Sequence, residues 1–165
     1  MYPRERDRTW IVLADSSRAR IYLTDHDLNE ARLIRELDHP ESRIKESELA
    51  TGMKGSIGPR QRGSGNRGNL HGHRPSTDPQ TGAHQVELEK FAREIAQELE
   101  HARVQGACEE IVLAAPPQFL GLIRQFLKVD VERMVRARIS KNLVRIEERD
   151  VAERIRDELF QAGRG

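Results

Sequence analysis

Between Gly52 and Gly82 the chain holds most of its 12 glycines together with Pro59, Pro75 and Pro79, and almost no large apolar side chain. A stretch of that composition cannot bury enough surface to offset the entropy of ordering it. The core must therefore come from the segments on either side, and residues 52–82 read as a long flexible loop. Structureless loops beyond about 12 to 15 residues are uncommon inside compact domains and are usually functional or disordered.

Upstream of that loop, TWIVLAD (Thr9 to Asp15) and ARIYLTD (Ala19 to Asp25) are short runs rich in β-branched and aromatic residues, separated by the turn formers Ser16 and Ser17. They predict a β-hairpin. ARLIRELDHP alternates Leu33 and Arg35 against Ile34 and Glu36 and is stopped by Pro40, which predicts a third antiparallel strand. Glu41 to Leu49 is charged, with only Ile44 and Leu49 apolar, and suits a short exposed helix or an irregular turn.

Downstream, Leu88, Phe91, Ala92, Ile95, Leu99 and Ala102 recur at spacings of three and four, one stripe of an amphipathic helix beginning near Ala83 and stopped by Gly106. EIVLAAPP has the continuous apolar centre of a strand buried on both faces, and Pro116 and Pro117 suit the first turn of the helix QFLGLIRQFL. Inward positions there are Phe119, Leu120, Ile123, Phe126 and Leu127. VDVERMVRA reads as another helical turn or two, RISKNLVRIEER as a strand interrupted at Ser140 to Asn142, and DVAERIRDELF as a last helix with Val151, Ile155 and Leu159 four apart. The order β-β-β-α-β-α-β-α predicts an α/β fold, a ribonuclease H-like mixed five-stranded sheet with flanking helices. At 165 residues the chain suffices for one domain, taken as 1–165.

A formal charge of +1 argues against a uniformly basic surface and leaves room for local patches. Cys108, the lone cysteine, cannot form an internal disulfide and reads as a packed thiol. Trp10, the lone tryptophan, reads as core or edge anchor. With no signal-peptide pattern and no apolar run near the ~20 residues of a membrane span, the chain is expected to be soluble, cytoplasmic and not membrane-bound.

The loop contains GSGNRG (Gly63 to Gly68), which satisfies the dinucleotide pattern G-x-G-x-x-G. A working fingerprint needs a strand directly before the first glycine and a helix starting at the last. KGSIGPRQR precedes it and NLHGHRPSTDP follows, so neither neighbour exists and no cofactor is expected. His71, His73 and His84 lack the thiolates and spacing of a closed zinc site, and no metal is expected. What remains is electrostatic: Lys54, Arg60, Arg62, Arg67 and Arg74 face a single acid, Asp78. Arginine pairs phosphate in a planar fork, and bare glycines let the main chain approach it. Arg60, Arg62, Gly63, Gly65, Asn66, Arg67, Gly68 and Arg74 are therefore the candidate nucleic-acid-binding residues, the alternative being a solvated, dispensable insertion.

TWIVLADSSRARIY, the glycine-rich arm followed by HQVELEKFAREIAQELE, and EIVLAAPPQFLGLIRQFL together resemble the bacterial host attachment protein family, proteins required for attachment to host cells. That family is similar in fold to the middle domain of archaeal and eukaryotic peptide-chain release factors and to bacterial release-factor-like proteins. The resemblance implies a basic loop ahead of a long helix, which in release factors carries Gly-Gly-Gln to the peptidyl-transferase centre. Here Gly65-Asn66 and Gly68-Asn69 are the nearest approaches, each with asparagine one methylene short and a single glycine directly ahead. The implied function is non-enzymatic binding to ribosomal or transfer RNA. Two alternatives stand beside it: a protein-interaction factor in host attachment or surface colonisation, and a metal-dependent ribonuclease H-like nuclease. The nuclease would need Asp15, Asp25 and Asp27 to converge on two metal ions, whereas Asp15 also reads as a turn residue bonding the backbone of Ser16 or Ser17.

Overall fold

The computed structural model of the chain describes residues 8–41 and 79–164. Within them a five-stranded sheet has the order β3-β2-β1-β4-β5. The strands are β1 (Thr9–Ala14), β2 (Arg18–Thr24), β3 (Arg32–Asp38), β4 (Glu110–Ala114) and β5 (Val135–Ile139). Helices α1 (Pro79–Val104), α2 (Pro117–Phe126), α3 (Val129–Met134) and α4 (Glu148–Ala162) flank it. The first three strands are antiparallel, as the hairpin pattern predicts, while β1–β4 and β4–β5 pair in parallel, so the sheet is mixed.

Strand β1 is buried along its whole length. Side chains on a strand alternate between faces, and this one splits its apolar residues between two cores. Trp10, Val12 and Ala14 join the α1 stripe (Phe91, Ala92, Ile95, Leu99, Ala102), Phe119, Leu120 and Ile123 of α2, and Val131 of α3. Ile11 and Leu13 join Tyr22, Leu28, Val112 and the Val151 and Ile155 positions of α4. Strand β4 divides in the same way, with Ile111 and Leu113 on one side and Val112 and Ala114 on the other. Each large apolar side chain fully buried in this way contributes about 1.5–3 kcal/mol relative to exposure. On β2 burial pushes the Tyr22 phenol up from its ordinary value.

Helix α1 ends as the sequence indicates. Gly106 sits at φ +66, the left-handed region, with its N–H bonded to the Arg103 carbonyl and that of Ala107 to the Ala102 carbonyl. The β2–β3 turn is held by Asp25: its carboxylate accepts the Asn29 backbone N–H at 2.9 Å and side-chain amide at 2.7 Å. Burial raises its pKa, but these bonds outweigh it and leave the group below its ordinary value. They also carry the buried Leu28 through a left-handed φ of 57, its carbonyl accepting from Arg156 on α4.

Three boundaries differ from the sequence expectation. Residues 79–82, assigned to the loop, form the first turn of α1, because Pro79 at a helix start loses no intrahelical bond. The fifth strand is Val135–Ile139 rather than RISKNLVRIEER: Val135, Ala137 and Ile139 alternate with Arg136 and Arg138, a period of two hidden by reading VDVERMVRA as helical throughout. The helix there stops at Met134. Beyond Ile139 the backbone leaves the sheet, and Leu143 packs into the α4-side core from a non-strand segment.

Cys108, at the foot of β4, is buried, and burial pushes its thiol up to about 11. At pH 8 that leaves roughly a hundredfold less thiolate than an ordinary cysteine, so iodoacetamide should label the folded protein at least that much more slowly than the urea-unfolded one. Gly106→Ala meets no atom within 4 Å of the added Cβ, so its cost is conformational only: about 1 kcal/mol in chemical denaturation, with Gly106→Asn losing less.

Candidate functional site

Because β1, β4 and β5 are parallel, they finish at one edge of the sheet. Leu13 is level with Ala114 and Ala114 with Ile139, and the Ala115 N–H donates to the Ile139 carbonyl at 3.1 Å. The antiparallel strands bring the β1–β2 turn and the end of β3 to that edge, with Ala14 level with Ala19 and Arg18 level with Asp38. The carboxyl ends of strands are where open α/β sheets place ligands.

A cleft of about 980 Å³ lies there. One wall is the β1–β2 turn, Asp15 to Ser17, and another is the start of α1, with His84, Gln85 and Leu88. Pro116 and the α2 residues Pro117, Gln118, Phe119, Gly121, Leu122 and Gln125 form the third, and Asn142 and Arg145, beyond β5, close the ring. The lining mixes amide and hydroxyl side chains with apolar Leu88, Phe119 and Leu122, and carries one carboxylate, Asp15, and one guanidinium, Arg145. The Asp15 carboxylate is held in the turn: its Oδ1 accepts the backbone N–H of Ser17 at 2.9 Å and of Arg18 at 2.8 Å. That is the turn role read from the sequence, shifted by one residue toward Arg18. Asn142 uses its amide oxygen on the Val144 N–H at 3.3 Å. The His84 Nδ1 is shielded from solvent and has no hydrogen-bond partner among the described residues.

The exit of β3 is pinned beside this cleft. The His39 backbone N–H donates to the Ser17 carbonyl at 2.8 Å, its imidazole Nε2 lies 2.8 Å from Glu87 Oε2 on α1, and its ring stacks on Phe91 with centroids 5.4 Å apart. The chain therefore leaves the described body at Glu41 and re-enters it at Pro79 on the same edge of the sheet. Arg60, Arg62, Gly63, Gly65, Asn66, Arg67, Gly68 and Arg74 all belong to the intervening segment and lie outside the described residues. So do His71 and His73, whereas His84 faces the cleft.

The carboxylates of the nuclease alternative do not converge. Asp15 follows β1, while Asp25 follows β2, whose end is level with the beginning of β1 through Thr9↔Thr24. Six residues of strand separate the two ends, about 20 Å. Among the described residues no group of three or more His, Cys, Asp and Glu could hold a metal ion. Near Asp25 stands a structural cluster instead, where Glu110 Oε2 meets His26 Nδ1 at 2.8 Å and Arg136 at 3.6 Å.

Residues 10–155 match the sequence family described as "Protein required for attachment to host cells". The chain belongs to that family. No curated protein sequence matches it. Among solved structures, this host-attachment family member is similar to the archaeal translation termination factor aRF1, with 12% identity and a TM-score of 0.45 over 96% of this chain and 40% of that one. A second similar structure, titled an archaeal protein, has 11% identity and a TM-score of 0.42 over 96% and 39% of the respective chains. The family member thus spans well under half the length of either. No helix among its described residues is long and apolar enough to cross a membrane.

Sequence reasoning did not find Gln118 and Gln125 of α2, or Asn142 and Arg145 of the connection between β5 and α4. The one local signal was Gly121, a glycine in the middle of QFLGLIRQFL. The Asp15 turn separates structure from catalysis: Asp15→Asn keeps the acceptor and should cost only a few tenths of a kcal/mol in urea denaturation, while Asp15→Ala strands two backbone donors and should cost about 1–2 kcal/mol. Neither should alter any magnesium-dependent cleavage of RNA.

Proposed function

We propose that this host-attachment family member is a non-enzymatic, cytoplasmic RNA- or ribosome-associated protein, in which the arginine-bearing segment between Glu41 and Pro79 contacts the phosphate backbone of ribosomal or transfer RNA. The single observation that carries this reading is placement. The segment with five cations against one acid in residues 52–82 begins and ends at the sheet edge where the neutral, polar cleft lies. Arg60, Arg62, Arg67 and Arg74 supply phosphate forks, and Gly63, Gly65, Asn66 and Gly68 let the main chain approach. His39 on one side and the helix start on the other fix where the segment leaves and re-enters the described body. The resemblance of the arm-then-helix order to release-factor middle domains favours the same partner class, without the Gly-Gly-Gln that peptide release would need.

The family's own description favours a second reading, a protein-interaction factor in attachment or surface colonisation. Cell fractionation distinguishes them, since a surface-exposed pool belongs to the second reading alone.

Replacing Arg60, Arg62, Arg67 and Arg74 together by alanine should abolish co-sedimentation with ribosomes at low salt while leaving the circular dichroism melt unchanged. Each phosphate contact contributes nearly one unit to the slope of log affinity against log salt, so the wild-type slope should be about −3 to −4. Co-sedimentation that survives the quadruple substitution would remove the segment from the reading.

A further inference from the structure

Two surfaces on opposite faces of the sheet complement each other. On the side of the first three helices, a groove of about 640 Å³ runs between the C-terminal half of α1 and the α2–α3 corner. Ala96 and the half-buried Phe126 form its apolar bed, and Val104 stands 65% exposed at one end. Arg93 lies over the Phe126 ring, 4.9 Å from its centroid, and forms no ion pair among the described residues. The carboxylate in the lining is Glu100. Arg103 holds it with bonds of 2.8 and 2.9 Å, and Lys128 reaches it at 3.6 Å. Arg93, Arg103 and Lys128 against that single acid leave the groove positive.

The complementary surface is α4, on the far face of the sheet, which carries five carboxylates against three arginines. Glu153, Asp157 and Phe160 stand at i, i+4 and i+7, one stripe of the helix, and all three are exposed. Neither Glu153 nor Asp157 has an ion-pair partner among the described residues. Arg154, by contrast, is paired to Glu158, and Arg156 donates to the Leu28 carbonyl. Phe160 is 62% exposed, with the Arg164 guanidinium over its ring at 4.5 Å from the centroid. An aromatic ring left in water beside two unpaired acids is an anchor without a pocket, and the groove is an apolar pocket with an unpaired cation at its rim. We propose that the groove receives α4 of a second copy of this chain, Phe160 against Phe126 and Val104, with Glu153 and Asp157 toward Arg93 and Lys128. Because the two surfaces lie on opposite faces of the sheet, each contact leaves one groove and one α4 free, and copies add head to tail. A single aromatic anchor with a charged rim makes a small interface, so the association is weak and concentration-dependent. This goes beyond the arginine-segment reading and does not depend on it.

The test is sedimentation velocity of the full chain over a range of concentrations. The weight-average mass should climb from the 18.9 kDa of one chain as the concentration rises to the order of 100 µM, and should fall back as salt screens the charged rim. Arg93→Glu, which reverses the groove, and Phe160→Ala, which removes the anchor, should each weaken self-association about tenfold or more. Both positions are exposed, and unchanged melting curves check that the body is intact. Each variant keeps the half that the other has lost, so mixing the two in equal amounts should restore association and stop it at two copies. The variant lacking Arg60, Arg62, Arg67 and Arg74 should self-associate as the wild type does, which keeps this contact separate from ribosome co-sedimentation. A wild type that stays monomeric throughout, self-association that survives either Arg93→Glu or Phe160→Ala, or a mixture that stays monomeric would overturn the proposal.

Discussion

The pairing of β1 on both of its edges is the constraint on which the rest of the molecule depends. An antiparallel partner arrives by a two-serine turn, and a parallel one arrives only after the chain has passed through β3, the arginine segment and α1. The strand is buried on both faces as well as paired on both sides, so its register sets the register of both cores. A one-residue slip would exchange Trp10, Val12 and Ala14 for Ile11 and Leu13 against α1. The same parallel pairing gathers the ends of β1, β4 and β5 at one edge, and the cleft exists because they finish level.

Much of this was legible in the chain itself. The hairpin, the α1 stripe from Leu88 to Ala102, the helix stop at Gly106 and the doubly buried β4 each follow from a local periodicity or a single residue's backbone preference. The fifth strand was legible only in part. Its alternation spans five residues and abuts α3 without a break, so helical and extended periods overlap on Val135 and Arg136 and local pattern cannot place the boundary. The junction at Pro79 was misplaced for a related reason: proline and glycine signal a loop by composition, but proline is also the residue best suited to begin a helix.

The cleft could not have been read at all. Arg145, Gln118 and His84 are unremarkable in their local contexts, and only the sheet's topology brings the end of one strand, the start of one helix and the start of another together. The arginine segment has the opposite character. Its charge is fully visible in the sequence, its points of departure and return are set by two anchors at the cleft edge, and its own residues lie outside the described structure. Belonging to the host-attachment family sets the frame for both features without assigning a chemistry to either.

The pinning of His39 against α1 also bears on how such proteins can diverge. Glu87 lies eight residues into α1, about 12 Å along the axis from Pro79, so the points of departure and return of the intervening chain are neighbours. The entropy of closing a loop between neighbouring anchors grows only logarithmically, about 0.6 kcal/mol for each doubling of length. Changes in the length of the chain between those anchors therefore cost little closure entropy, which leaves related proteins room to lengthen or shorten it while inheriting the same body.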